Sequence, residues 1–425
     1  MGSPQIPTGE VLAPPPVPVS PPSRVPHTFR ALRHRNFRLF ISGQIVSLVG
    51  TWMQNTAQSW LVYELTHSEM KLGATWFCSQ IAVFLLGPAG GIVSDRYSRR
   101  TVVILTQTAS MVQAFLLAVL TLTHRIQWEY VLALGALLGV INAFDMPARQ
   151  ALVSQMTSEE DLINAISLNS AVFNTARVLG PSVAGLVLSA VGAGTCFLLN
   201  GLSFLAVIVG LIAMRLPPSK PHPPAPVVQH LIDGFRYAAS HHAVRRVLAL
   251  MAAATFAGMP AFVLMPFFAD DIFHRGSAGL GYLMGAMGIG AVTGTLVLAR
   301  RTRNKGLGRV MAISGMTTGV AYLCFAYSPS FYISLAIMPV IGYSVMRQMA
   351  SANTTIQTSI PDHYRGRIMA LYAMTVVGLG PFGSLAAGAI AGRWGARTAL
   401  ACGGVLALTA SLIFEASRRR QSLAS

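Results

Sequence analysis

The sequence predicts an all-α membrane protein with twelve transmembrane helices in two pseudo-symmetric six-helix bundles. Three observations predict it. The 425 residues are 53% hydrophobic and only 11% charged, against about a quarter charged in soluble domains, so a bilayer is the natural solvent. The apolar residues gather into twelve runs, each near the roughly 20 residues that a spanning helix needs. A pattern that recurs after half the chain divides those runs into two sets.

Residues 1–28 lack a basic start followed by an apolar stretch, so they do not read as a signal peptide. Pro14, Pro15, Pro16, Pro18, Pro21 and Pro22 predict a disordered, partly polyproline cytoplasmic tail. The first bundle, residues 29–214, holds runs at 37–62, 71–94, 100–123, 128–152, 162–190 and 194–214. Residues 215–246 are polar and Pro-rich and read as a cytoplasmic linker. Within them Leu231, Ile232, Phe235 and Ala238 recur at helical spacing, which predicts a short amphipathic helix over 228–239 on the membrane surface. The second bundle, residues 247–416, holds runs at 247–270, 278–299, 309–327, 331–356, 366–392 and 396–416. Residues 417–425 form a basic cytoplasmic tail.

The net charge of +17 does not point to nucleic acid, because the basic residues sit in short clusters between the runs. Arg24, Arg30, Arg33, Arg35 and Arg38 lie on one side with Arg96, Arg99, Arg100, Arg300, Arg301, Arg303, Lys305 and Arg418–Arg420. The opposite side holds only Lys71, Arg125, Arg275, Arg393 and Arg397. The positive-inside rule then puts both termini in the cytoplasm of a bacterial inner (plasma) membrane and requires an even number of spans. Cys78, Cys196, Cys324 and Cys402 are far apart and inside apolar runs, so neither a disulfide nor a metal site is expected. No phosphate-binding loop and no nucleophile–base set occurs. The expectation is therefore no enzyme, no cofactor and no ATP drive within this chain.

The repeat lies in runs five and eleven. The first reads Ala176-Arg177-Val178-Leu179-Gly180-Pro181, with Ala184 and Gly185, then Gly192 and Gly194. The second reads Val376-Val377-Gly378-Leu379-Gly380-Pro381, with Gly383, then Gly388, Gly392 and Gly395. Each follows a polar loop and leads through a glycine turn into a final apolar run.

Between runs two and three stands Gly91-Ile92-Val93-Ser94-Asp95-Arg96-Tyr97-Ser98-Arg99-Arg100. Positive-inside charge accounts for the arginines but not for Asp95. Here the chain resembles the major facilitator superfamily, whose loop at this place carries Gly-x-x-x-Asp-Arg-x-Gly-Arg-Arg. Gly91, Asp95, Arg96, Arg99 and Arg100 match, and Ser98 replaces the glycine. The resemblance implies the two-bundle transporter fold and an inner latch between the halves. The matching loop of the second half, Arg300–Arg309, lacks the acid. Gly180, Pro181 and Gly185 resemble the family's helix-bending exporter motif, with alanine at 176 and 184 in place of glycine. Tight packing without directional meaning is the other reading of that run. Asp145-Met146-Pro147-Ala148-Arg149, Asn174 with Arg177, and Gly50-Thr51-Trp52-Met53-Gln54 look like the enterobactin-exporter and macrolide-efflux branch, the transmembrane secretion effectors.

A charge within the bilayer costs about 2.5–3.5 kcal/mol on insertion scales and is usually functional. Asp145, Arg177 and Arg347 are the candidates within spans. Asp145 either pairs with Arg347 across the cavity, directly or through substrate, as part of an inner gate, or pairs with Arg149, one turn away, as structure. Three polar stripes mark a water-facing wall: Gln44, Ser47, Thr51, Gln54, Asn55 and Gln58 in span one; Ser167, Ser170, Asn174 and Arg177 in span five; Tyr343, Arg347, Ser351 and Thr354 in span ten. Trp52, Trp60, Phe256 and Phe262 are candidates to stack on a ligand. The expected function is a proton-driven exporter of small drug-, macrolide- or siderophore-like molecules by alternating access. The expected partners are that substrate, H+ and membrane lipid, with the protein acting as a monomer. Asp145 leads the coupling candidates, followed by Glu64 and Asp270. A lipid flippase on the same fold and a non-transporting accessory or sensor protein are the alternatives.

Overall fold

The computed structural model describes residues 27–216, 227–299 and 306–424. The Pro-rich tail, the start of the linker and most of the basic loop after residue 299 lie outside them.

Twelve spans follow in order. Spans one to six are Arg35–Thr66, Glu69–Arg96, Arg99–Leu122, Trp128–Val153, Glu159–Val191 and Ala193–Ala213. Spans seven to ten are His242–Val263, Gly276–Ala299, Leu307–Ala326 and Phe331–Ser359. Span eleven begins at Asp362, breaks at Leu379 and resumes at Gly380, and Gly395 turns the chain into span twelve. Ten described helices are long and apolar enough to cross a membrane, and one of those, Tyr364–Arg420, joins spans eleven and twelve. Span one is the twelfth. Its glutamines and Asn55 lower its hydropathy, which is the mark of a helix that lines water.

Local chemistry sets the boundaries. Ser68 accepts the Lys71 amide at the start of span two, and Ser98 accepts the Thr101 amide at the start of span three. The serine that replaces the family's glycine is thus an N-cap. Gly192 (φ 81, ψ 175) and Gly395 (φ 83, ψ 159) make the turns after spans five and eleven, a conformation that only glycine takes cheaply. The repeat is therefore visible as one turn geometry used twice. Two boundaries differ from the expected ones for a reason in the chain. Span seven ends at Val263 rather than residue 270, because Pro266 cannot continue the helix; the chain instead takes a wide turn over Phe268–Ile272. Span eleven, expected unbroken over 366–392, breaks before Pro381, whereas span five runs through Pro181 without interruption.

With twelve spans, both termini lie on one side, the terminal side; the other is the far side. On the far side the halves cross at two glycine contacts. Gly185 of span five meets Gly281 of span eight, where a Cβ on Gly281 would lie 2.6 Å from the Gly185 Cα. Gly73 of span two meets Gly388 of span eleven, where a Cβ on Gly388 would lie 2.6 Å from the Glu69 carbonyl. The Ser384 hydroxyl donates to the Gly73 carbonyl at 3.3 Å beside that crossing. Small residues let the backbones approach this closely.

Two segments brace the terminal side. The linker contains a helix, Val227–Ser240. It docks on the start of span eleven, where Asp233 meets Arg367 at 3.1 Å and the Tyr237 and Tyr364 rings stack at 4.3 Å. The short helix His27–Arg33 docks on the first turn of span five, outside its apolar stretch. There Asp161, 1% exposed, meets His34 at 2.8 Å, Arg33 at 2.8 Å and Arg30 at 3.4 Å. The His34 hydrogen bond, helped by the Arg33 and Arg30 charges and opposed by burial, holds the Asp161 carboxyl below the usual carboxylate range. A lowered folded-state value stabilises above the unfolded value of about 3.9 and is lost as pH falls through the folded one. Asp161→Asn is therefore expected to free the 27–33 segment at neutral pH, read as faster amide exchange there, while the wild type keeps its protection until strong acid. Unchanged exchange in the variant would remove the clamp.

Candidate transport cavity

Two chambers lie between the halves, and Trp52 of span one lines both. The Trp52 and Phe173 rings meet edge-on at 5.9 Å and form the partition.

The first chamber, about 320 Å³, is lined mainly by the first half. Ser47, Thr51 and Asn55 present one face of span one to it; Gln80, Gln107 and Asn142 add polar groups, and Gly380 and Pro381 reach it from the break in span eleven. A small polar extension of about 60 Å³ continues past Gln58 toward the far side. Asp145 and Arg149 sit in the chamber wall. The buried Asp145 carboxylate accepts from Thr106 Oγ1 at 2.8 Å and Gln107 Nε2 at 2.9 Å, and Arg149 Nε lies 3.1 Å away. Arg149 also donates to Gln44 Oε1 at 3.4 Å. Three donors converge on one carboxylate, which is how a structural anion is held.

The second chamber, about 540 Å³, lies between spans one and five of the first half and spans seven to ten of the second. Ser167, Ser170, Asn174 and Arg177 of span five all line it. Arg177 stands between aromatic faces, its guanidinium carbon 5.8 Å from the ring centres of both Trp52 and Phe262. Its Nη1 reaches the Met346 sulfur of span ten at 3.8 Å. No carboxylate lines this chamber among the described residues.

Several candidates take other places. The cross-cavity pair of Asp145 with Arg347 is not formed: Arg149 takes the carboxylate, and Arg347 folds back to donate to the Tyr343 hydroxyl at 2.8 Å. A partner at i±4 costs less ordering than one across a gap. Span ten turns Gly342, Val345 and Met346 to the cavity, not the Tyr343–Arg347–Ser351 stripe. Its buried Ser344 instead meets Thr318 of span nine at 2.9 Å. Gln54 also leaves the wall. It bridges Gln113 (3.0 Å) and Asn200 (2.7 Å) inside the first bundle. Periodicity selects a polar face, but only packing decides which neighbour that face meets.

The loop motif divides its work. Arg99 Nη1 donates to the Ala151 carbonyl at 3.1 Å and Arg100 Nη2 to the Ile212 carbonyl at 2.8 Å, so both tie helix ends within the first half. Asp95 forms no ion pair among the described residues, and Gly91 leaves open space where a side chain would stand. Of the exporter-type motif, Gly180 packs on Trp52 and Met53 of span one, and Gly185 makes the far-side crossing.

The far-side closure contains a group that sequence reading ranked low. The Tyr63 hydroxyl, at the far end of span one, lies 2.8 Å from Asp270 Oδ2 and 2.6 Å from Asp271 Oδ1 on the turn after span seven. Gln80, Gln107, Asn142 and Tyr322 are polar groups inside apolar runs outside the three stripes.

The chain matches the family described as transmembrane secretion effector over residues 27–424. It is 22% identical over 387 residues to the staphyloferrin A transporter of Staphylococcus aureus (strain NCTC 8325 / PS 47), covering 91% of this chain and 97% of the relative. It is 24% identical over 349 residues to the enterobactin exporter EntS of Shigella flexneri, covering 81% and 82%. Among solved structures, a bacterial homologue of the human lysosomal transporter Spinster, in an inward-facing and occupied conformation, superposes with a TM-score of 0.73 at 12% identity, covering 92% of this chain and 97% of the other.

Proposed function

The chain belongs to the transmembrane secretion effector family, on the major facilitator fold of an inner-membrane secondary transporter, and from that premise we propose that it exports a small molecule by alternating access, driven by protons. One observation carries the reading: the glycine crossings and the Tyr63 contact close the far side, while both chambers lie between the halves behind that closure. With the basic clusters placed in the cytoplasm, this is the state that loads cargo from inside. Asp95 makes no ion pair among the described residues, which supports a latch that engages in the opposite state.

Export as the direction draws on the exporter-type glycines and on the names of the relatives, which are siderophore transporters. Proton coupling draws on the closure. One phenolic proton serves two carboxylates poorly, because each accepts and neither donates when ionised. A second proton on the Asp270–Asp271 pair makes both contacts favourable. Taking up that proton from outside ties closure of the far side to the gradient. Asp145, encircled by donors, serves as a fixed counter-ion to Arg149.

The test is efflux from cells expressing the protein, with and without a protonophore, over siderophores, macrolides and lipophilic dyes. Protonophore-sensitive efflux that Asp270→Asn uncouples and Asp145→Asn does not is the expected result. Efflux indifferent to the protonophore would sink the coupling, and absence of efflux from folded protein would sink the function.

A further inference from the structure

Two donors in the second chamber lack a matching acceptor. Among the described residues the Arg177 guanidinium has a thioether sulfur and two ring faces as its partners. Tyr322 of span nine is 1% exposed and lines the same chamber, and its hydroxyl makes no hydrogen bond among the described residues. That hydroxyl lies against Gly258 of span seven, one turn before Phe262, the residue under Arg177. The guanidinium and the hydroxyl therefore address the same stretch of span seven.

Such an arrangement is costly when empty. Cation–π contact recovers only about 0.5–2 kcal/mol, and a thioether is a weak acceptor. The complement of an arginine beside a phenol hydroxyl is an acceptor that carries negative charge. The walls define the rest of the occupant. Trp52 and Phe262 offer faces for a flat ring, and Met284, Met287 and Met346 adapt to irregular shapes. Cations fit poorly, since no carboxylate lines the chamber among the described residues and Arg177 repels them.

We propose that Arg177 and Tyr322 form an anion-binding subsite, and that this chamber takes an organic acid with a flat ring, held through a carboxylate or an acidic phenolic oxygen. The assignment rests on the export reading and narrows its cargo. Arg177 supplies the charge, Tyr322 a second donor, and Trp52 with Phe262 the stacking faces. Asn174 and Ser170, one and two turns from Arg177 along span five, are placed to take further polar atoms of the same ligand.

The test is equilibrium dialysis of the purified full-length protein in nanodiscs against three probes. Salicylate is an acid with a ring, citrate an acid without one, and ethidium a flat cation. Salicylate is expected to bind, citrate more weakly, and ethidium not to compete. Arg177→Gln is expected to weaken salicylate binding about 10- to 100-fold, as for the loss of a charge-assisted hydrogen bond. Tyr322→Phe, which keeps the ring, is expected to cost about 3- to 10-fold. Arg177→Lys retains part of the affinity and serves where the glutamine variant does not fold. Salicylate affinity unchanged in these variants overturns the subsite, as does ethidium binding more tightly than salicylate, or binding of none of the three at millimolar concentration. The two readings fail separately. Binding without transport in proteoliposomes sinks export and leaves the subsite, whereas salicylate efflux indifferent to Arg177→Gln sinks the subsite and leaves export.

Discussion

Replacing Gly185 with valine is expected to hold the far side open and to slow transport severely. Gly185 and Gly281 meet backbone to backbone, and a Cβ at either position falls within the other's main chain. A flexible side chain can yield, but a helix backbone can yield only by moving the whole span. Overpacking of this kind costs about 1–3 kcal/mol, and it is felt only where the helices cross. The state with the far side apart escapes the penalty. The variant should therefore shift the two-state ratio about 5- to 150-fold toward the far-open state. The measurement is the distance distribution between spin labels on Leu65→Cys and His274→Cys, which flank the closure, with the native cysteines replaced. A longer distance in Gly185→Val and again in Gly281→Val, with efflux reduced in step, is the expected pair of results. The same distance as in wild type would mean that this crossing does not set the conformational balance. Gly192→Val serves as the contrast. It strains a positive-φ turn without touching the other half, so it should lower stability and leave the ratio alone.

Removing the Asp145 carboxylate should have a large effect of a different kind. Asp145 is 2% exposed and receives three donors, one of them Arg149, whose side chain is 19% exposed. Asp145→Ala leaves the arginine without its counter-charge and the Gln107 amide without its acceptor, while Thr106 falls back on the Val102 and Val103 carbonyls. Breaking a buried pair by deleting one partner costs about 3–5 kcal/mol, and the expected value lies at the lower end because Arg149 reaches the chamber. Asp145→Asn keeps one acceptor oxygen and should cost about half as much, on the scale of single hydrogen bonds to charged groups. The checks are the thermal melt of the purified protein and efflux per folded molecule. Both variants should melt early, and Asp145→Asn should retain protonophore-sensitive efflux once corrected for folded protein. A stable, uncoupled Asp145→Asn would reverse the assignment and make Asp145 the proton carrier.

The contrast between Asp145 and the Tyr63 closure shows where reading the chain reached its limit. A lone acid inside an apolar run reveals that it needs a partner. It does not reveal which partner, because Arg149 lies one turn away along the same helix while Arg347 comes close only if two bundles pack in one particular way. The opposite holds at Tyr63. A tyrosine at a span end is an ordinary interface residue, and two aspartates near a span end look like loop charge. Only the fold sets 207 residues of separation to nothing and places the Tyr63 hydroxyl against Asp270. Gln54 makes the same point inward. Its periodicity matches that of Asn55, but its amide turns to Gln113 and Asn200, and Asn55 takes the cavity wall.

The solvent, the helical class, the two-half repeat and the family are legible in the chain alone. Each of these follows from quantities summed along the chain: apolar length, charge bias between sides, and glycine and proline at repeated places. The sequence also put Ser167, Ser170, Asn174 and Arg177 on one face of span five, and packing then turned that face to the second chamber. Packing between distant segments settled which carboxylate meets which arginine, that Ser344 of span ten meets Thr318 of span nine, and that two glycine crossings with Tyr63 close one side. Those outcomes depend on how two rigid bundles dock. Docking is set by shape and charge between residues far apart in the chain, which no local periodicity records.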